Sequence, residues 1–268
     1  MVSPTRDRPM AWSARSPPAG ALRRWLRSRN TTPRIARKGT ESSQRLGRQR
    51  RTVHAEVIRW RPGTSVPTLV PVAEPKYQIR ALHTDSTVTV YQAYAPEIGL
   101  PAAREGRFPA VWQRDRMTWI KPSFLWMMYR CGWGTKEGQE TVLAVEISRK
   151  GFEWALKHAC LSHYEHGLHT DRATWKHQLK RAPARVQWDP ERDLHLQPLA
   201  HRSLQLGLAA EAARLYADEW TVSITDMTSL AHTVHAHVRD GDLDAARQLL
   251  PRERPYLLDD GFLAHLRQ

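Results

Sequence analysis

Apolar and polar residues alternate along several short stretches of the chain, and this alternation predicts β-strands. Residues 86–94, STVTVYQAY, are dense in β-branched and aromatic side chains, as strands are. Residues 141–147, TVLAVEI, contain few polar residues, which is typical of a strand buried at the centre of a sheet. Shorter alternating runs predict three further strands, at residues 184–188, 203–208 and 220–224.

Other stretches repeat their apolar residues at helical spacing. An amphipathic helix is predicted by the i, i+3, i+4, i+7 and i+8 pattern of Phe152, Ala155, Leu156, Ala159 and Cys160. Further helices are predicted at residues 171–181, 209–216, 229–238 and 243–250, the last with Asp242 as its N-cap. No evenly spaced βα units appear, so we expect an α+β fold: a single domain with a mixed or antiparallel sheet, a buried central helix and C-terminal helices.

The stretch from 122 to 131 is expected to be that central helix, because large apolar side chains occupy almost its whole circumference. Pro122 suits its first turn, and Gly132 suits the position just after its end. The N-terminus of such a helix favours an anion, and Lys121 and Ser123 lie beside it. In the alternative interpretation, Lys121 is simply solvated and Ser123 is only a cap.

Charge separates the beginning of the chain from the rest. The 268 residues are 41% hydrophobic and 25% charged, which is ordinary for a globular protein. The net charge of +14 lies almost entirely in residues 1–61, where sixteen Arg and Lys accompany three acids; the remainder holds 25 bases and 24 acids. We therefore expect a disordered basic N-terminal extension at residues 1–61. A proline-rich linker at 62–76, a globular domain at 77–258 and a C-terminal tail at 259–268 are expected to follow.

The extension admits three interpretations: a dispensable or mispredicted start, an electrostatic arm for nucleic acid, or a mitochondrial transit peptide. No apolar segment follows the pair Arg23–Arg24, which argues against twin-arginine export. Two cysteines, Cys131 and Cys160, are too few for a disulfide framework and favour a reducing, cytoplasmic location. The longest apolar run, residues 122–129, is far shorter than the roughly 20 residues that cross a bilayer, so no membrane partner is expected.

Familiar catalytic and metal-binding motifs are absent from the sequence. It contains no Walker loop, GxGxxG, HExxH or GxSxG motif. His163, His166 and His169 are spaced by three residues with Glu165 among them. Gly167 and the lack of apolar neighbours favour a loop here, so no metal site is expected.

Polar residues share one face on each of the three short predicted strands. In a strand, Arg185, Gln187 and Asp189 oppose Val186 and Trp188, and a type I turn is expected at Pro190. The same alternation sets Ser203 and Gln205 against Leu204 and Leu206. It also sets Glu219, Thr221 and Ser223 against Trp220, Val222 and Ile224.

These polar faces have two competing interpretations. In one, they form the solvent side of a half-covered sheet. In the other, they line one cleft in which Arg185 and Arg202 bind phosphate while Glu219 or Asp189 acts as the acid or base. Arg116 and Lys121 are further candidates for the anion.

Five motifs carry a resemblance to a known family: YQAY at 91–94, RMTWIKPSFLWMMYR at 116–130, RVQWDPERD at 185–193, RSLQLGL at 202–208 and DEWTVSITDMT at 218–228. Together they resemble the domain-of-unknown-function 4291 family, over residues 77–258. The resemblance implies a folded domain whose motif-borne polar residues matter, and it implies no activity.

A second, looser resemblance concerns the layout of residues 88–108, VTVYQAYAPEIGLPAAREGRF, in which a strand, a helix and a Gly turn precede a late-strand Glu. This order is similar to that of ADP-ribosyltransferase-like domains, and fold alone does not give function. The resemblance implies that Tyr91 or Gln92 would grip the nicotinamide riboside of NAD and that Glu219 would orient the acceptor.

Three hypotheses of function follow from the sequence. The first is an enzyme acting on a nucleotide or nucleic-acid phosphate, with ADP-ribosyl-like transfer as its leading form and Glu219 or Asp189 as its acid or base. The second is a non-catalytic binder of nucleotides or nucleic acid. The third is a structural or partner-binding protein. The candidate ligand-binding residues are Tyr91, Gln92, Arg116, Lys121, Ser123, Arg185, Gln187, Arg202 and Gln205.

Overall fold

The computed structural model describes residues 75–258 and Leu266. The predicted extension at 1–61, most of the predicted linker at 62–76 and the predicted tail at 259–268, apart from Leu266, lie outside the described residues. The strands are β1 (Arg80–Ala81), β2 (Thr87–Tyr94), β3 (Thr118–Ile120), β4 (Thr141–Ser148), β5 (Ala159–Leu161), β6 (Ala184–Arg192), β7 (Pro198–Leu208), β8 (Thr221–Asp226) and β9 (Arg254–Pro255).

Helices alternate irregularly with these strands. They are α1 (Pro96–Glu105), α2 (Phe124–Cys131), α3 (Arg149–Lys157), α4 (Arg172–Arg181), α5 (Glu211–Leu215), α6 (Thr228–Arg239) and α7 (Leu243–Leu249), with a π-helical turn at Tyr216–Trp220. In the part of the chain that the structure describes, no helix is long and apolar enough to cross a bilayer.

Two larger sheets organise the domain. One has the strand order β2-β4-β8 and is antiparallel; the other has the order β3-β7-β6-β5, in which only β5 and β6 run parallel. A small pair of β1 with β9 brings the C-terminal segment back to the start of the domain. The α+β fold with a mixed sheet is confirmed.

Apolar side chains cover both faces of the three-stranded sheet. Leu143, Val145 and Ile147 of β4 face a cluster shared with the apolar side of the four-stranded sheet and with α3. Val142 and Ala144, on the other face, pack in a second cluster with α2 and α6. The prediction that residues 141–147 form a central strand is confirmed, and the near-continuous apolar run is explained by this double burial.

The buried helix at the 122–131 stretch is also confirmed. Phe124, Trp126, Met127 and Met128 are all buried, and Ser123 caps α2 by accepting a hydrogen bond from the N–H of Trp126. Pro122 lies before this cap and not in the first turn, which corrects the prediction. Gly132 ends the helix with a φ of 57°, a left-handed conformation that glycine adopts without strain.

Other boundaries differ from the predicted ones. Helix α3 ends at Lys157, and Ala159 and Cys160 belong to β5 because they pair with β6. The turn predicted at Pro190 was wrong: β6 continues to Arg192 through a shift of register in its pairing with β7. A register shift between β4 and β8 leaves Val222 without an opposite residue and 58% exposed, so Val222 does not share the buried face of Ile224.

Candidate functional site

Tyr91 and Lys121 join the two larger sheets. The N–H of Tyr91 donates to the carbonyl of Lys121 at 2.7 Å, and the N–H of Lys121 donates back at 3.3 Å. Strand β2 pairs with β4 along its whole length, including at Tyr91, and the bridge to Lys121 links it in addition to the four-stranded sheet. The side chains beyond the bridge are left around an open space.

A cleft of about 490 Å³ occupies this space. Its walls come from the end of β2, residues 111–117, β3 and α2. Among the described residues, three cations line it, Arg116, Lys121 and Arg130, and no Asp or Glu does. Its further walls include Gln92, Tyr94, Trp112, Thr118, Trp119 and Met127. The arrangement is suited to an anion that also presents an aromatic or apolar part.

Lys121 is the most unusual of the three cations. It is only 6% exposed, and within the described range Nζ donates one hydrogen bond, to the carbonyl of Trp119 at 3.2 Å. Burial, reinforced by the charge of Arg130, lowers the pKa of Lys121 to about 7, although Cys131 and Asp189 act in the opposite direction. The amine can therefore be neutral or charged near physiological pH.

The guanidinium groups of Arg116 and Arg130 are more accessible. Both residues are exposed, and neither side chain has a hydrogen-bond or ion-pair partner among residues 75–258. Their charges face the cleft without an internal carboxylate to balance them. An anionic ligand would supply that balance.

A chain of hydrogen bonds fixes the floor of the cleft. The amide of Gln92 donates to Oγ1 of Thr118 at 2.6 Å and accepts from the hydroxyl of Tyr216 at 2.6 Å. Tyr94 contacts the same Thr118 hydroxyl at 3.2 Å and accepts from the indole of Trp112 at 3.0 Å. The amide of Gln92 is thus fully engaged inside the protein, as its buried position requires.

The polar face of the four-stranded sheet continues from the cleft. Trp119, Gly207 and Arg185 lie opposite one another on β3, β7 and β6. A Cβ on Gly207 would come within 3.1 Å of the Trp119 ring, so the indole lies directly on this glycine. Lys121 follows Trp119 by two residues, so its side chain lies on the same face of the sheet as those of Gln205 and Gln187.

Asp189 is held by amides. Gln187 donates to both of its carboxylate oxygens at 3.0 and 3.1 Å, and Gln205 donates to Oδ2 at 2.5 Å. Arg185, half-buried on the same strand, makes no ion pair with it, and the Arg185 Nε has no hydrogen-bond partner in the described part of the chain. Arg185 therefore brings to this strand face a positive charge that has no ion-pair partner among residues 75–258.

The start of α2 holds carboxylates of the chain itself. Ser123 donates to Oε1 of Glu191 at 2.9 Å, and the N–H of Phe124 donates to Oε1 of Glu253 at 2.7 Å. The buried hydroxyl of Tyr91 has no hydrogen-bond partner within the described residues. The helix terminus, which the sequence offered either as an anion site or as a simple cap, holds carboxyl groups of the chain itself.

Two of the candidate residues lie elsewhere. Arg202 pairs with Pro190 and faces the side of β7 opposite to Gln205, where it lines a separate cavity of about 180 Å³. Glu219 is exposed on the π-helical turn and does not line the cleft. The structure brings Gln92, Arg116 and Lys121 to one cleft and sets Arg185, Gln187, Asp189 and Gln205 beside it.

The histidines of the 163–169 loop do not form a metal centre. His163 contacts Glu165 at 3.2 Å, and His169 contacts the backbone carbonyl of Glu165 at 3.1 Å. Among the described residues, no group of three or more His, Cys, Asp or Glu is arranged to hold a metal ion. The loop is instead packed by aromatic contacts of Tyr164 with His169 and Trp175.

Residues 78–256, which contain both sheets, the whole cleft and the carboxylates at α2, match the profile of the family described as Domain of unknown function (DUF4291). The chain belongs to this family. No curated protein matches the chain. Because the family is defined without a known function, membership in DUF4291 assigns neither an activity nor a ligand.

Several important residues of this DUF4291 domain escape sequence reasoning. Glu191 lies within the motif WDPER, and the turn expected there concealed its burial. Glu253 is more than a hundred residues from α2 along the chain, and no local pattern links them. Arg130 ends the same motif as Arg116 and Lys121, and this shared motif was the signal in the sequence that could have placed it near them.

Proposed function

We propose that the DUF4291 domain binds a phosphate-bearing nucleotide in the cleft, either free or as one unit of a nucleic acid. The observation that carries the proposal is the charge of the cleft wall: Arg116, Lys121 and Arg130 line it, and no carboxylate of residues 75–258 does. An anion in this position would pair with cations that have no carboxylate partner among the described residues.

The size and the aromatic content of the cleft support a nucleotide over a bare phosphate ion. Its volume of about 490 Å³ falls within the roughly 300–1,000 Å³ typical of small-molecule sites. Trp119 and Tyr94 are half-buried on its wall and present ring surface for a base or sugar. Arg116 and Arg130 are exposed at its rim, where phosphate oxygens remain partly hydrated.

ADP-ribosyl-like transfer is the enzymatic form of this proposal, with NAD as the nucleotide. The acids named for it do not favour this form: Glu219 lies outside the cleft, and Asp189 is engaged by Gln187 and Gln205. Binding of the nucleotide is therefore the function proposed here, and NAD is one of the ligands with which it is tested.

The experiment is a thermal-shift series on the full chain with inorganic phosphate, adenosine, AMP, ATP, NAD and a short single-stranded RNA. We expect the phosphate-bearing nucleotides to stabilise the protein and adenosine to do so much less. A ligand at a hundred times its Kd stabilises by about 2.7 kcal/mol, so a specific site is easily seen.

Matched variants separate the cleft from the basic extension. Lys121→Met and Arg116→Ala should lose most of the nucleotide shift, whereas Arg104→Ala, which removes an exposed arginine of α1 outside the cleft, should keep it. RNA bound only by residues 1–61 would bind all variants alike and weaken steeply with salt. Equal shifts in all three variants, or no shift with any nucleotide, would overturn the proposal.

A further inference from the structure

The surroundings of the Lys121 amine differ from those of an ordinary structural lysine. Most buried lysines are neutralised by a carboxylate, but Nζ here donates to the neutral carbonyl of Trp119 at 3.2 Å, and no acid of the described part of the chain lines the cleft. Arg116 and Arg130 line the same cleft. Burial beside other cations is the arrangement that activates a lysine as a nucleophile.

We propose that Lys121 forms an imine with the carbonyl carbon of a phosphate-bearing sugar aldehyde bound in the cleft. The inference rests on the proposed function, because Arg116 and Arg130 would hold the phosphate while the amine meets the carbonyl. The same chemistry has two sources, a free sugar phosphate and an abasic sugar within a DNA strand, and the test below separates them.

The step needs only the amine and the carbonyl compound. The lone pair of Nζ attacks the carbonyl carbon, and the π electrons of the C=O bond move to oxygen, which takes up a proton. The resulting carbinolamine loses that oxygen as water, and a C=N bond forms. Over the whole step the two N–H protons of the amine are lost and the carbonyl oxygen leaves as one molecule of water. No oxidant, reductant or further reactant enters.

Several charged groups face the amine and set its protonation. Burial, reinforced by the charge of Arg130 on α2, lowers the pKa of Lys121 to about 7, while Cys131 on α2 and Asp189 on β6 act in the opposite direction. Lys150, exposed on α3, offers an internal comparison, because its amine lies in solvent and not in the cleft. Near pH 7 a substantial fraction of Lys121 is therefore ready to attack.

The test traps the imine by reduction. The full chain is incubated near pH 7 with cyanoborohydride and one of three probes: glyceraldehyde 3-phosphate, glyceraldehyde, or an oligodeoxynucleotide with an abasic site. Adducts are then located by peptide mass mapping. We expect Lys121 to be labelled at least about tenfold faster than Lys150 near pH 7, with the ratio falling as the pH rises and exposed lysine side chains in general lose their protons.

The choice of probes makes each outcome decisive. Faster labelling of Lys121 by the phosphate-bearing aldehyde than by glyceraldehyde, with the preference lost in Arg116→Ala, supports the proposal. Labelling by the abasic strand alone identifies the nucleic-acid source. Labelling spread over exposed lysines overturns the inference, and nucleotide shifts that persist in that case leave the proposed function standing. Selective labelling of Lys121 without any preference for phosphate counts against the proposed anion site. These measurements use wild-type protein first, so they do not depend on a variant that folds.

Discussion

The backbone N–H of Phe124 donates a 2.7 Å hydrogen bond to Oε1 of Glu253, so the C-terminal segment supplies a carboxyl group at the start of α2. Glu191 brings a second carboxylate, bound by the hydroxyl of Ser123. Burial and the nearby charge of Glu191 raise the pKa of Glu253 well above its ordinary value, against the opposing effects of the Phe124 N–H and Arg80. Two carboxylates in one buried place repel each other when both are charged.

The first prediction is that Glu253→Gln stabilises the protein at alkaline pH. The glutamine keeps the oxygen that accepts from Phe124 and removes the charge. Because folding raises the pKa of Glu253, its stabilising contribution is complete below the ordinary pKa of 4.5 and is lost as the pH rises through the folded value. We expect a gain on the order of 1 kcal/mol near pH 8 and little change near pH 4, measured by urea unfolding.

Glu97→Gln is the matched control for this variant. Glu97 also lies in the first turn of a helix, α1, but it is exposed. Removing its charge should cost a few tenths of a kcal/mol through the lost interaction with the helix dipole. If Glu253→Gln were likewise destabilising at every pH, the carboxyl group of Glu253 would be contributing as a charge, contrary to this account.

The second prediction concerns the pH dependence that Lys121 imposes. Its pKa is lowered from 10.5 to about 7 on folding, so between these values the unfolded chain binds a proton that the folded protein does not. Wild-type stability should therefore rise with pH across this window. Lys121→Met removes the effect, and we expect it to be more stable than wild type by about 2–4 kcal/mol near pH 6, with the difference vanishing near pH 10.

The free energy of unfolding of wild type and of Lys121→Met is measured with denaturant at several pH values. The difference between the two proteins isolates the contribution of Lys121 from those of the other titrating groups. A constant difference at all pH values would mean that Lys121 stays charged in the folded protein. A stable Lys121→Met variant also means that a loss of nucleotide binding cannot be attributed to unfolding.

The third prediction contrasts Arg185 with Asp189. Arg185 makes no ion pair in the described part of the chain, so Arg185→Ala leaves no stranded acid and should change the free energy of unfolding by less than about 1 kcal/mol. Asp189→Ala leaves the amides of Gln187 and Gln205 without their acceptor and should cost about 1–3 kcal/mol. A larger cost for Arg185→Ala than for Asp189→Ala, in the same urea titration, would show that the arginine has an internal partner.

Much of the fold was predictable because local pattern and tertiary structure agree. The apolar run at 141–147 is buried on both faces, and Ser123, Asp171 and Asp242 cap the helices that follow them. Two of the errors occur where strand pairing slips. Neither the shift at Pro190 nor the bulge at Val222 changes the hydrophobic alternation, so a sequence alone cannot reveal them.

The candidate site was predictable only in part, for a different physical reason. Lys121 and Arg116 belong to one motif and lie in one cleft, because a short strand keeps nearby residues together. Arg185 and Arg202 looked equivalent in the sequence. Arg202 pairs with Pro190, and Pro190 is separated from Arg185 by an odd number of positions along β6, so the two arginines face opposite sides of the sheet. The carboxylate of Glu253 reaches α2 through the pairing of β1 with β9, which is a long-range contact with no local signature.

The last prediction tests the bulge on β8 with two identical substitutions. Val145 lies on β4 with none of its surface exposed, between Val90 and Ile224, whereas Val222 is 58% exposed and has no opposite residue. Val145→Ala removes buried methyl groups and should cost roughly 2 kcal/mol, while Val222→Ala should change stability by less than about 0.5 kcal/mol. Both values come from urea unfolding under one set of conditions. A cost for Val222→Ala close to that for Val145→Ala would mean that β8 pairs in regular register and turns Val222 into the core, as simple alternation of the sequence predicts.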